Sequence, residues 1–213
     1  MNLLKNLSKH IDRSAAIRAV AVALILVLTC CICGFDAKCD TIRENVLRLH
    51  VLANSDSTED QALKLKVRDA LLVASEDVFK NCNSEAEAAE RAKQNISKLQ
   101  QIAQQAVFDN GYSYPVTIEV AKTWFETRHY EEFTLPAGEY EALRVVIGEG
   151  EGKNWWCVMF PAVCISSAGK DNDFSKVLSD DAAEIVEKPK QYKARFKIVE
   201  LFQKARRGLS KLF

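Results

Sequence analysis

Fifteen consecutive residues near the start of the chain, Ala19 to Cys33 (AVAVALILVLTCCIC), carry no charge and a single hydroxyl. No other segment restricts the folding of this chain so strongly. A bilayer-spanning helix needs roughly 20 apolar residues and a secretory apolar region about 7–15. The run, extended loosely through Ile17, sits at the border of the two. It has no polar face and starts close to a chain end, which argues against a buried core helix. Lys5, Lys9, Arg13 and Arg18 surround Asp12 ahead of it. The positive-inside rule then leaves the N-terminus in the cytoplasm and the body outside. No Ala-x-Ala cleavage site follows, and Leu28-Thr29-Cys30-Cys31 resembles a lipoprotein box only faintly. Residues 1–38 therefore read as a signal peptide or signal-anchor, with the uncleaved anchor as the expectation.

Charge is balanced overall and uneven along the chain. Lys plus Arg and Asp plus Glu number 29 each, which argues against a nucleic-acid partner for the whole protein. Residues 35–185 hold 16 basic and 26 acidic side chains, whereas residues 186–213 hold 9 and 2. With 48% apolar residues, the body can bury a core. Residues 39–190 read as one exported domain and 191–213 as a basic amphipathic helix. Phe196, Val199, Leu201, Phe202, Ala205, Leu209, Leu212 and Phe213 form the stripe of that helix, which suits an anionic membrane surface, an acidic partner or packing on the domain.

Within the body, Glu44 to Ala53 alternates, with Leu47, Leu49, Val51 and Ala53 uniformly apolar, as on a strand with one face on a core. Asn54-Ser55-Asp56-Ser57 breaks it with turn chemistry. Thr58-x-x-Gln61 reads as a capping box opening a helix to about Lys80, and Ser84-x-x-Glu87 opens a second that stops at Asn110-Gly111. From Pro115 the period changes to two. Val116 to Ala121, Glu141 to Ile147 and Asn154 to Phe160 read as strands, with a further one around His129 to Leu135 and a hairpin connection at Gly148 to Gly152. Segregated helices and strands predict an α+β two-layer domain, a mainly antiparallel sheet with two helices on one face.

Catalytic signatures are sparse. The sequence has no Gly-x-Ser-x-Gly, His-Glu-x-x-His or phosphate-loop pattern. His50 and Asp56 can be drawn as a base with an orienting acid, the basis of an alternative reading as an extracytoplasmic hydrolase. The acids Asp56, Glu59 and Asp60 lack the glycine and distal Glu of a calcium loop, and helix N-termini attract acids anyway. Gly148-x-Gly150-x-Gly152 precedes a strand and so is not a dinucleotide fingerprint. No metal or cofactor is expected. Among the body cysteines, Cys157 and Cys164 are nearest in sequence, with Pro161 between them, and a disulfide there is one of three pairings open to four cysteines.

Three blocks carry a family resemblance. Leu47 to Asp56 (LRLHVLANSD), continuing Glu59 to Asp69 (EDQALKLKVRD), looks like the opening motif of the stage II sporulation protein R family. Leu135 to Gly148, then Asn154 to Pro161 and Cys164, resembles its second block, and Phe196 to Glu200 its end. Ala162-Val163 stands where the family pattern has Pro-Leu. The resemblance covers about residues 40–202. It implies an exported, non-enzymatic developmental signal of endospore-forming bacteria, acting between forespore and mother cell. There the family triggers a membrane-embedded aspartic protease, which processes the precursor of an early mother-cell sigma factor. The partner the resemblance implies is that protease; the membrane is expected separately, from the apolar residues 17–33 and, as one option, from the basic tail. The expected contact surface is Arg48, His50, Asn54, Ser55 and Asp56. Arg48 and His50 fall on the strand face opposite the apolar set, and the next three form the adjoining loop.

Overall fold

The computed structural model describes residues 13–130, 132–161 and 174–210. Helix α1 (Arg13–Arg43) is 31 residues long without interruption. Its apolar part stands clear of the domain, with Val20, Leu24 and Leu28 exposed by 60, 58 and 61%. It is long and apolar enough to cross a membrane. From Phe35 onward the same helix is domain structure, because Phe35, Cys39 and Ile42 are buried. Asn45 ends it by donating from Nδ2 to the Thr41 carbonyl, 2.8 Å.

The order then runs β1 (Leu47–Leu52), α2 (Thr58–Val78), α3 (Glu85–Gln94), α4 (Ile96–Asp109), β2 (Val116–Phe125), β3 (Arg128–His129), β4 (Thr134–Leu135), β5 (Gly138–Ile147), β6 (Asn154–Phe160), α5 (Phe174–Val177), α6 (Asp180–Glu187) and α7 (Pro189–Ser210). Four strands form one sheet in the order β2-β5-β1-β6. The β2–β5 and β1–β6 pairs are antiparallel, and β1–β5 is parallel. The fold is thus α+β with a mainly antiparallel sheet, an apolar N-terminal helix and a C-terminal helix, as expected.

Two local boundaries differ from expectation. The cap of α2 is Ser57, one residue early, its hydroxyl accepting from the Asp60 amide at 3.1 Å. The helix expected from Ser84 to Asn110 is two, because Asn95 turns its Nδ2 onto the Arg91 carbonyl (2.8 Å) and closes α3. The Ser84 cap forms as read, accepting from Glu87 N at 3.3 Å.

Both faces of the sheet are covered. On the first, Leu47, Leu49 and Val51 of β1 meet Leu63, Val67 and Leu71 of α2 and Leu99, Ala103 and Val107 of α4. Each such fully buried aliphatic side chain contributes about 1.5–3 kcal/mol. On the second, Phe125, Tyr140, Ala142 and Val158 meet Phe35 and Ile42 of α1, Phe174 of α5, Ala182 and Val186 of α6, and Phe196 and Val199 of α7. This third layer is an addition to the two expected. It comes from the end of the apolar helix, from the short helices α5 and α6, and from the basic tail; the first and last of these read as separate from the body.

Buried ions join the two. Asp36 accepts from Arg43 Nη2 at 3.0 Å and from Gln203 Nε2 of α7 at 2.8 and 2.9 Å. Arg43 Nε also donates to the Ala137 carbonyl, 2.9 Å. The tail therefore packs on the domain, while Leu201 and Leu209 of its stripe stay exposed at 58 and 60%.

Candidate functional site

Strand β1 places Arg48 and His50 on the second face, among residues that arrive from far along the chain. The expectation that they point to solvent does not hold. Arg48 is 0% exposed and His50 6%. The end of α1, the β3–β4 hairpin and α6 roof this face, and none of them is visible in the local alternation. Arg48 lies 3.9 Å over the ring of Phe125 and 5.0 Å over that of Tyr140. Its Nη2 donates to Tyr130 Oη at 2.7 Å. Nε and Nη1 are buried without a hydrogen-bond partner. No carboxylate among the described residues pairs with it, and burial pulls its pKa below the ordinary arginine value.

His50 stacks on Trp156, ring centroids 4.0 Å apart. Its Nε2 meets Asn154 Oδ1 at 2.6 Å, and its buried Nδ1 has no partner. Burial lowers its pKa, which favours the neutral ring. Asp56 serves elsewhere: its Oδ1 accepts from the Lys153 amide at 2.7 Å. The base–acid pair drawn for a hydrolase is therefore not formed, because each group is committed to a different neighbour. Trp155, on the other face of β6, lies under Arg68, whose guanidinium is 4.4 Å from its ring centroid.

The loop after β1 is a locked corner. Asn54 accepts from the Glu149 amide through Oδ1 (3.1 Å) and donates to Asp60 Oδ2 through Nδ2 (2.9 Å). Ser55 Oγ donates to the same carboxylate oxygen, 2.6 Å. These hydrogen bonds, Ser55 first, hold the Asp60 carboxyl below the usual aspartate range. The backbone of 53–54 accepts from Gly152 and Glu151. Lys64 Nζ donates to the Lys153 carbonyl at 2.8 Å. Gly152 lies so close that a Cβ there would collide with the Ser55 carbonyl, and one at Gly148 (φ +58°) with the Asn54 side chain. Asp60, Lys64, Gly148 and Gly152 complete this corner, although none of them belongs to the contact surface expected from the sequence. Their sequence signal was a capping acid and a glycine-rich hairpin, each sufficient alone to explain its residues.

Cys157 is disulfide-bonded, and Cys164 lies outside the described residues. Among the described residues, no group of three His, Cys, Asp or Glu side chains is placed to hold a metal ion.

These features define a class: a helix-borne α+β domain whose most distinctive side chains are committed to its own architecture. The chain belongs to the stage II sporulation protein R family, whose model matches residues 43–170. Over 123 residues it is 37% identical to stage II sporulation protein R of Bacillus subtilis (strain 168), covering 58% of this chain and 55% of that protein. The match thus spans about half the length of that relative. No solved structure matches the chain. The matched stretch begins at the last residue of α1 and ends at residue 170, so the resemblance at Phe196 to Glu200 lies beyond it. The family's name ties it to sporulation.

Proposed function

We propose that this chain is an exported, non-enzymatic developmental signal that activates a membrane-embedded aspartic protease, which then processes the precursor of an early mother-cell sigma factor. The observation that carries the reading is family membership over residues 43–170. The apolar α1, unbroken into the domain, supports a chain held at the cytoplasmic membrane with its body in the space between forespore and mother cell. The partner would meet the corner around Asn54, Ser55 and Asp56, with Arg48 and His50 acting beneath it as supports rather than as contacts. Asp56, Glu59, Glu149 and Glu151 are its exposed acids.

Co-expression with the protease and the sigma precursor in a non-sporulating host tests the reading. Shortened precursor should appear only when this chain is present. Unshortened precursor with all three proteins made and inserted would refute it. Glu149→Lys with Glu151→Lys should abolish processing without loss of fold. Full processing by that variant would move the contact away from this corner.

A further inference from the structure

Helix α1 leaves its apolar run beside α6 and α7, and the three enclose a groove of about 370 Å³. Leu28 and Ile32 of the apolar run form one wall, and Ile198 of α7 another, with Phe35 between them. Leu28 is 61% exposed and Ile198 45%. Two cations, Lys38 and Arg195, and two acids, Asp181 and Glu184, line the groove, and Glu184 is paired with Lys188 at 3.3 Å. Lys38 is already paired with Asp181 at 2.7 Å. Arg195 lies 5.8 Å from the ring centroid of Phe35 and 5.6 Å from that of Tyr192. It has no ion pair among the described residues.

We propose that this groove holds a phospholipid of the leaflet at the domain side, an acyl chain along Leu28, Ile32 and Ile198 and an anionic headgroup on Arg195. The proposal rests on the reading of α1 as a retained anchor. Four observations select lipid as the occupant. One wall is the apolar run itself, so the groove opens where the span meets the bilayer surface. The run is also short: fifteen residues rise about 22 Å, against roughly 30 Å of hydrocarbon. Apolar surface added at its outer end relieves that mismatch. Leu201 and Phe202 follow Ile198 at helical spacing, exposed by 58 and 39%, and continue the same apolar face. Finally, Lys190, Lys193 and Arg195 place uncommitted positive charge at this end of α7, complementary to anionic headgroups and not to a second copy of the same basic segment.

Native mass spectrometry of the full chain in detergent, supplemented with palmitoyl-oleoyl phosphatidylglycerol or the matching phosphatidylcholine, tests this. One phosphatidylglycerol should be retained, about fivefold in preference to phosphatidylcholine, as one exposed cation near an anionic headgroup confers. Arg195→Gln should erase the preference and keep the lipid. Ile198→Asp should lose both lipids. Thermal unfolding of each variant, followed by circular dichroism, checks that the fold is retained. Equal retention of the two lipids by the unaltered chain, unchanged retention in Ile198→Asp, or a dimer in place of the lipid adduct would overturn the proposal. The same spectra give the intact mass. A chain lacking the residues before Gly34 would refute the anchor reading, and the groove with it, independently of any lipid count.

Discussion

Replacing Arg48 by methionine should change stability by no more than about 1 kcal/mol, although the guanidinium is fully buried. Opposed effects nearly cancel. Burying a cation that pairs with no carboxylate among the described residues costs several kcal/mol, and methionine removes that penalty. Against this, the charged hydrogen bond to Tyr130 is worth about 1.5–3 kcal/mol, and a desolvated cation over Phe125 about 2. The methionine stem keeps most of the apolar packing on Phe125 and Tyr140. Alanine removes the same charge and the stem as well. Arg48→Ala should therefore fall about 3 kcal/mol below Arg48→Met, within the usual range for emptying a buried site. Urea unfolding of the full chain in detergent, with midpoints compared at constant m-value, measures both. If Met loses as much as Ala, the charge itself is net stabilising. It would then have an acidic counter-ion, and the description of an unpaired cation among aromatic rings would be wrong.

Three further outcomes follow from the same geometry. His50 has a folded pKa below its unfolded value near 6.5, so its contribution is present above that pH and is lost as pH falls through the lower folded value. Unfolding midpoints should decline from pH 7 toward pH 5, and His50→Gln should flatten the decline; an unchanged slope would exclude His50 as its source. Gly152→Ala should cost about 1–3 kcal/mol, because its methyl meets the Ser55 carbonyl, whereas Gly208→Ala, with open space around it, should be neutral or better. Thermal melts of the two variants separate them. Unreduced peptide mapping should find the Cys157 peptide linked to that of Cys164, and a free thiol at Cys157 would remove the staple.

How far the fold could be read depended on how local its determinants were. The strand at Leu47 to Leu52, the Ser84 cap and the change of period after Pro115 are set by residues within a few positions of each other. They emerged with boundaries shifted by little. Asn95 broke a helix because its amide found a carbonyl four residues back, a choice the apolar spacing around it does not register. The candidate site was less legible. Arg48 and His50 alternate with leucine and valine, which reads as solvent exposure only if one face of the sheet is bare. What covers them is Phe125, Tyr130 and Trp156, each at least 75 residues away in sequence, together with a second-face core drawn from both the end of α1 and the C-terminal helices. The loop motif was found, but its partners at Gly148 to Lys153 lie across the sheet, so its role as a lock required the fold.

The continuity of α1 also fixes an azimuth. Phe35, Ile42 and Arg43 grip the domain on the same helix that carries the apolar run, with no hinge between them. Each residue of that helix turns the chain by about 100° and advances it about 1.5 Å. On the proposed reading of α1 as a retained membrane span, the compass direction in which the Asn54–Asp56 corner faces along the membrane is set by the rotational phase of that span, not by a linker free to swivel. Deleting one residue within Ala19 to Val27 would swing the corner about a quarter turn around the membrane normal while leaving every contact of the domain intact. Deleting four would nearly restore its heading, about 6 Å closer to the bilayer. On that reading, the proposed signal to a membrane neighbour would be silenced by geometry alone.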